Sequence, residues 1–365
     1  MLVNKTILLI SPEPWGTNYV SKHHYAVTLA ERGNKVFFLN PPSSGCNTKK
    51  VQKGLFILNY RSSYRGLARM PASLSAWLTA KMVRKLEDIV GCKFDVIWNF
   101  DSSRFFNLKR LRDKLRISHI VDLSEKLNTR MLGKTYDICF ASTEFILTRQ
   151  KKFNPLSYKI NHGYAPAKYP VKYNLPGQNS QRTKAGYLGN LLIKYLDWDI
   201  LYKLAKNNPE IGFYFAGPDN ASNLSATGNQ PAALTATRSL PNVCFTGALA
   251  HNQIASFLSQ MDILLLAYRA RDYYQQLANP HKILEYLASG RVVAATPVHE
   301  YRNKTDLMAM AEKDEDLPAL FAEVADNLAH YNSPEKQQAR QAWALENTYE
   351  KQVERIEKLL AKVLK

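Results

Sequence analysis

The 365-residue chain is poor in cysteine: Cys46, Cys92, Cys139 and Cys244 stand far apart, with no CxxC. That spacing excludes a zinc cage and a disulfide scaffold and suits a reducing compartment. No apolar run approaches the ~18 residues that a membrane span needs. The opening MLVNKTILLISPEP is too short in its apolar part to read as a secretory leader. No GxGxxG follows the first strand-like run; SPEPWGTN stands there instead, which argues against a nicotinamide-linked oxidoreductase. No DxD pair follows a strand. Asp197 and Asp199 have the letters, but they open a helical stretch and read as favourable first-turn charges. No metal site and no obligatory divalent ion are therefore expected.

Acid is the other scarce commodity, and only in one half. Residues 1–170 hold 28 basic against 11 acidic side chains, whereas residues 171–365 hold 21 against 20. An anionic partner met by the first half is implied. Nucleic acid and an anionic membrane surface are the two candidates. Nothing resembles a helix-turn-helix, RRM or zinc finger, and the basic segments lack the aromatic interleaving of a stacking platform. A nucleic-acid partner is not expected.

What is present is enough apolar residue, 45%, for real cores, in a length of roughly two domains. Short β-rich runs at 6–11, 35–40, 95–100, 117–122 and 137–142 alternate with helical patterns near 19–32, 71–90, 104–116 and 143–152. The second half repeats the scheme, with strands at 185–188, 212–217, 243–246, 262–267 and 291–296. Helices are expected near 195–208, 251–259, 280–289 and 317–330. Alternation of this kind predicts an α/β protein with two doubly wound, Rossmann-like parallel sheets facing a cleft. Residues 165–184 carry Pro166, Pro170 and Pro176 without a clear period and read as a linker. The expected division is 1–164, the linker 165–184, 185–338, and a charged amphipathic helix over 339–365 packing back across the linker.

The most informative segment is NPHKILEYLASG, residues 279–290. Asn279 suits an N-cap, Pro280 the first helical position, and Gly290 the end of the helix. A helix N-terminus at the carboxyl edge of a sheet presents N–H groups to an anion. Lys282 adds positive charge there, and Glu285 can accept two hydroxyl hydrogen bonds of the kind a ribose offers. The same spacing also describes an ordinary capped helix with a surface Lys–Glu pair.

NPHKILEYLASGRVVAAT resembles the donor-site segment of GT-B glycosyltransferases, in particular the family-4-like (group 1) bacterial enzymes of cell-surface polysaccharide assembly. ISPEPWGTNYVSKHHYAVTLAERGNKVFFLNPP, KINHGYA, KAGYLGNL, FAGP, VCFTGALAHNQIASFLSQMDILLLAY and WALENTYEKQVERI fit that resemblance in order. It implies a first domain that binds the acceptor and a second that binds a UDP- or GDP-linked sugar. Glu285 would hold the ribose, Lys282 would sit at the phosphate end of the same helix, and Gly189 with Asn190 would form the close-approach turn beside the diphosphate. Leu277 stands where many of these enzymes carry a first glutamate, eight positions before Glu285. Without that acid, Lys194, Arg269 and Arg271 are the candidates for stabilising the leaving group. The reaction implied is transfer to a lipid-linked or cell-surface glycan, with no cofactor. A sugar-nucleotide epimerase of the same architecture is the alternative within the fold, and a basic nucleic-acid-binding protein the alternative outside it.

In the first half, Trp15, Gly16 and Asn18 follow the first strand on its carboxyl side and are candidate acceptor contacts. Asp122 and His24 are the catalytic candidates, with Asp101 and Glu144 also placed to act as a base. His119 alternates within its strand and belongs to the core. Residues 104–116 and 64–90 read as basic amphipathic helices, which places the protein peripherally on the cytoplasmic face of the inner membrane, through residues 1–170. Their apolar stripes equally describe domain core.

Overall fold

The computed structural model describes residues 2–16, 19–62, 64, 66–122, 129–176, 183–219 and 231–363. The chain divides into two compact units, Met1–Gly163 with Tyr349–Lys365, and Tyr164–Thr348.

The first unit is built on eight strands: β1 (Thr6–Ile10), β2 (Lys35–Leu39), β3 (Asn47–Gln52), β4 (Leu55–Asn59), β5 (Val96–Asn99), β6 (Leu115–Ile120), β7 (Ile138–Ala141) and β8 (Ser157–Lys159). They lie in the order β3-β4-β2-β1-β5-β6-β7-β8. All neighbours are parallel except the β3–β4 hairpin. The apolar runs TILLI, VIWN and ICFA are buried almost throughout, as strands covered on both faces must be. Strand β3 was not legible: NTKKVQ has no apolar alternation, because it is an exposed edge strand whose lysines discourage further pairing. Helix Tyr349–Val363 belongs to this unit, where Tyr349 packs on Tyr25 and the Leu2 amide donates to Glu357.

The expected helix over 104–116 does not exist. Its place is taken by a loop and then by β6. Phe105 adopts a left-handed φ of 51°, which no helix interior accepts. The loop's polar backbone is satisfied from outside: Thr135 Oγ1 donates to the Phe106 carbonyl and accepts from the Leu108 amide, and the Tyr136 hydroxyl donates to the Phe105 carbonyl. The buried Phe105, Leu108 and Leu111 that mimicked a helical stripe enter the core from successive tight turns. Two of its basic residues are internal. Lys114 pairs with Glu87 at 2.7 Å, both buried, and Arg116 pairs with Asp137.

The second unit holds β9 (Lys184–Leu188), β10 (Gly212–Ala216), β11 (Val243–Gly247), β12 (Ile263–Leu266), β13 (Val292–Ala295) and β14 (Ala309–Met310). All are parallel, in the order β11-β10-β9-β12-β13-β14. Gly186 of β9 lies opposite Tyr214 of β10 and Leu264 of β12, at the centre of the sheet. Strand order reverses between β9 and β12, so the carboxyl ends of those strands form the crevice where open α/β sheets bind ligands. The residues just past them are Gly189–Asn190 and Ala267–Arg269.

The terminal segment is not one helix. Pro334–Glu346 ends at Asn347, whose amide donates to the Ala344 carbonyl, and Tyr349–Val363 starts afresh. The first of these helices belongs to the second unit, where Arg340 ties it to the segments that lead into β13 and β14 and to Tyr331. That guanidinium is buried and donates to the carbonyls of Leu307, Gly290 and Tyr331.

Candidate active site

At the carboxyl end of β9 the chain turns at Gly189, with φ 155°. Two backbones meet here: a Cβ on Gly217, past the end of neighbouring β10, would lie 1.8 Å from the Gly189 carbonyl oxygen. Only glycine tolerates that approach. Asn190 completes the turn, its Oδ1 accepting the Leu192 amide at 2.9 Å.

Helix Lys282–Ala288 starts two residues later than its sequence suggests. His281, not Asn279, occupies the N-cap position, and its side chain makes no cap bond. The Ile283 amide reaches back to the Pro280 carbonyl, a tight i to i+3 turn that delays the α-ladder. The apolar residues Ile283, Leu284 and Leu287 are buried, and Tyr286 holds the helix to β9 by accepting from the Leu188 amide and donating to the Leu188 carbonyl.

That anchoring turns Lys282 inward. It is only 8% exposed, and its Nζ donates to the Tyr187 hydroxyl at 3.0 Å and lies over the Tyr187 ring at 4.6 Å. No carboxylate among the described residues lies within ion-pair distance of it. Aromatic faces and one hydroxyl compensate an ammonium only in part, so a buried cation of this kind favours an incoming anion. Period-two alternation puts Tyr187 and Gly189 on one face of the strand. That signal was available in KAGYLGNL, yet Tyr187 was missed.

One turn further along, Glu285 is half-buried and makes no hydrogen bond or ion pair with a described residue. Burial pushes its carboxyl up to about 7, and the neighbouring Lys282 charge pulls it back only in part. It opens on a cavity of ≈ 240 Å³ that is also lined by Tyr164, His251, Ile254, Leu258 and Ser289. Burial, with the nearby Glu285, raises the Tyr164 phenol, and burial lowers the His251 imidazole. Tyr164 and His251 lie in KINHGYA and VCFTGALAHNQIASFLSQMDILLLAY, segments that fit the family resemblance, but nothing in their own spacing singled them out as site residues.

The other donor-side candidates have internal partners. Arg269 reaches Asp199 at 3.3 Å and Asp197 at 3.9 Å. Asp197 is also the N-cap of helix Trp198–Asn207, accepting from the Asp199 and Ile200 amides, so the two acids serve a helix start. Lys194 lies over the rings of Tyr195 and Tyr273. Arg271 is exposed beside Asp272 at 3.7 Å. Leu277 is buried, its amide donating to the Tyr273 carbonyl.

In the first unit, buried Lys22 gathers two carboxylates, Glu13 at 2.9 Å and Asp122 at 3.4 Å, at the carboxyl edge of the sheet. Asp122 has a side chain 74% exposed. Lys22 was missed, because a lysine opening a helix reads as surface. Asp101 is instead committed to Ser103 and Arg104, and Glu144 to Lys159. His24 stacks on Tyr349 at 4.8 Å. Trp15 packs on Phe38 and His23, its amide donating to Asn40. Gly16 follows it, half-buried, and Asn18 lies outside the described residues. His119 is core, ringed by Tyr25, Trp98, Phe100 and Phe140, and burial pushes its imidazole down to about 3.

Residues 184–330 match the family described as Glycosyl transferases group 1. Over 111 residues the chain is 30% identical to the putative teichuronic acid biosynthesis glycosyltransferase TuaH of Bacillus subtilis (strain 168), covering 30% of this chain and 26% of that protein. The match thus spans about a quarter of that relative's length. Among solved structures, sucrose-phosphate synthase from Thermosynechococcus elongatus superposes with a TM-score of 0.69 at 14% identity, covering 99% of each chain. Anabaena HepE, in a complex with UDP-glucose, gives 0.68 at 12% identity, covering 98% of this chain and 100% of its own. The chain has the GT-B fold, and its segment 184–330 is similar to the group 1 glycosyl transferases.

Proposed function

We propose that the protein is a glycosyltransferase that takes a nucleotide sugar, UDP-linked in the first instance, into its second unit. The observation that carries this reading is the pairing, one helical turn apart, of a buried ammonium without a carboxylate partner and a carboxylate without a donor among the described residues. Lys282 suits the diphosphate beside the Gly189 turn, and Glu285 suits two ribose hydroxyls at the mouth of its cavity. A UDP donor is favoured by the likeness to HepE, whose structure is described with UDP-glucose.

The chemistry proposed is displacement of the nucleoside diphosphate by an acceptor hydroxyl. The leaving charge is met by Lys282 and by backbone N–H groups of the Gly189–Asn190 turn, without an obligatory metal. Asp122, held by Lys22, takes the acceptor proton. The acceptor is a lipid-linked or cell-surface glycan bound by the first unit, a choice favoured by the partial likeness to a teichuronic acid enzyme and by the basic charge of residues 1–170.

Calorimetry with UDP and GDP on the wild type and on Glu285→Ala tests the donor assignment. Removing a charge-assisted bond typically costs ~1.5–3 kcal/mol, or roughly ten- to more than a hundredfold in affinity. Equal binding by the two proteins sinks the Glu285 assignment, and no nucleotide binding by wild type sinks the reading as a whole. Turnover is expected to survive EDTA; complete, magnesium-reversible loss would overturn the metal-free mechanism.

A further inference from the structure

Helix Ala72–Val90 buries Ala76, Val83 and Leu86 in the first unit's core. Its opposite side shows a second pattern that the core does not use. Leu74, Trp77, Lys81, Arg84, Lys85 and Asp88 are all exposed. At 3.6 residues per turn they fall within a stripe about 100° wide. Leu74 and Trp77 are each 44% exposed at its first turns. The basic residues follow, and Arg69 stands exposed just before the helix. Lys81 Nζ lies 5.3 Å from the Trp77 ring, so ammonium and indole share one patch of surface.

None of Arg69, Lys81, Arg84 and Lys85 has an ion-pair partner among the described residues. Glu87, which would offset them by sequence, is buried and engaged by Lys114 and by Lys93, at 2.7 and 3.1 Å. Asp88 is the one acid left on the stripe. No described helix is long and apolar enough to cross a membrane. An indole and a leucine set among uncompensated cations make a surface with one apolar end and one cationic end.

We propose that this face docks on an anionic lipid bilayer, with Leu74 and Trp77 entering the headgroup boundary and Arg69, Lys81, Arg84 and Lys85 meeting lipid phosphates. Trp and Leu gain from a boundary that is apolar on one side and wet on the other, and lysine and arginine keep their charged ends at its surface. A soluble acidic polymer would satisfy the cations but leave Leu74 in water, which is why the bilayer is the occupant favoured. The proposal rests on this face alone and adds a partner to the transferase reading.

Full-length protein is sedimented at 0.1 M salt with vesicles of phosphatidylglycerol and phosphatidylcholine, and with phosphatidylcholine alone. Binding to the first and not the second is expected. Each lost charge lowers partitioning about fivefold, so Lys81→Gln/Arg84→Gln/Lys85→Gln should bind roughly a hundredfold less tightly. Lys109→Gln/Arg110→Gln/Arg112→Gln, which removes the same charge from another surface, should change binding less than threefold. Brominated lipid should quench a component of tryptophan emission that Trp77→Phe lacks. UDP calorimetry on the same variants keeps donor binding separate from docking. Failure of wild type to bind the anionic vesicles, an equal loss from both triple variants, or equally tight binding to a soluble acidic polysaccharide would each overturn the proposal.

Discussion

The Lys282 ammonium occupies the space that a side chain at residue 189 would need: a Cβ on Gly189 would stand 2.0 Å from Nζ and 2.8 Å from the Tyr187 hydroxyl. Strand end and helix start are thus fitted to each other around one cation. Gly189→Ala must push Lys282 aside and carries backbone strain as well. Both donor affinity and melting temperature should fall. Lys282→Met separates the two effects. Replacing a buried, incompletely compensated charge by an apolar chain of similar length should leave the melting temperature unchanged or raise it, while UDP affinity drops at least tenfold. A Lys282→Met protein that melts much earlier and still binds UDP would mean that this cation serves the fold.

Glu285 supplies a pH signature. Its carboxyl is raised to about 7 in the folded chain against an ordinary value near 4.5. Between those pH values the folded protein holds a proton that the unfolded chain has released, so stability falls as pH rises through this window. Glu285→Gln, which cannot ionise, should therefore melt higher than wild type at pH 8 and equally at pH 4.5. If the ionised form accepts the ribose hydroxyls, UDP affinity of wild type should strengthen from pH 6 to pH 8, and that of Glu285→Gln should be low and flat. Melting curves and calorimetry at the two pH values check both; parallel pH profiles for the two proteins would refute the assignment.

The loop that replaced the expected helix makes its own prediction. Lys114 and Glu87 are buried together, and Lys114 also donates to the Phe94 carbonyl at 3.0 Å. Burial alone would raise the Glu87 carboxyl, but the bonds from Lys114, the Phe94 amide and Lys93 outweigh it and hold it below its ordinary value. Lys114→Met strands that carboxylate and should cost ~3–5 kcal/mol in denaturant melts. Neutralising exposed Lys109, Arg110 or Arg112 should stay within about 0.5 kcal/mol each. Comparable losses at all four positions would show that residues 104–116 do not hold the conformation described.

What could be read in advance follows from where the physical determinants lie. Buried parallel strands announce themselves locally: TILLI, ILLL and VVAA need only their own apolar runs, and the glycine past β9 marks its turn. The helix near 104–116 failed for the opposite reason. Phe105, Leu108 and Leu111 have helical spacing, but Thr135 and Tyr136, about thirty residues away, satisfy the backbone that a helix would have satisfied itself. At the site, Lys282 and Glu285 were legible because one helix carries both. Tyr164 and His251 were not, because only tertiary folding brings them to the same cavity. Lys22 was hidden by its type, since a buried lysine is exceptional until its two carboxylates are seen.

Those two carboxylates divide the roles at the first sheet's edge. Glu13 lies closer to Lys22, at 2.9 Å, with a side chain 29% exposed, whereas Asp122 is 3.4 Å away and 74% exposed. Lys22 is buried, and although burial opposes its charge, the two acids outweigh that and raise its affinity for a proton. It therefore remains a fixed cation through the pH range of turnover. Both acids neutralise it, and Asp122 is the more exposed of the two, which is why the proposed mechanism assigns the acceptor proton to it. As a base, Asp122 should be worth about 10²–10⁴ in kcat. Asp122→Asn should therefore lose that factor with UDP affinity unchanged, because the residues proposed to hold the donor lie on the second unit's strands and helices. Glu13→Gln should lose less in kcat but more in stability, since it leaves a buried ammonium half-compensated. Steady-state rates with a synthetic glycan acceptor, alongside melting curves, separate these outcomes. Full activity in Asp122→Asn would remove Asp122 from the chemistry and leave it as the outer partner of Lys22.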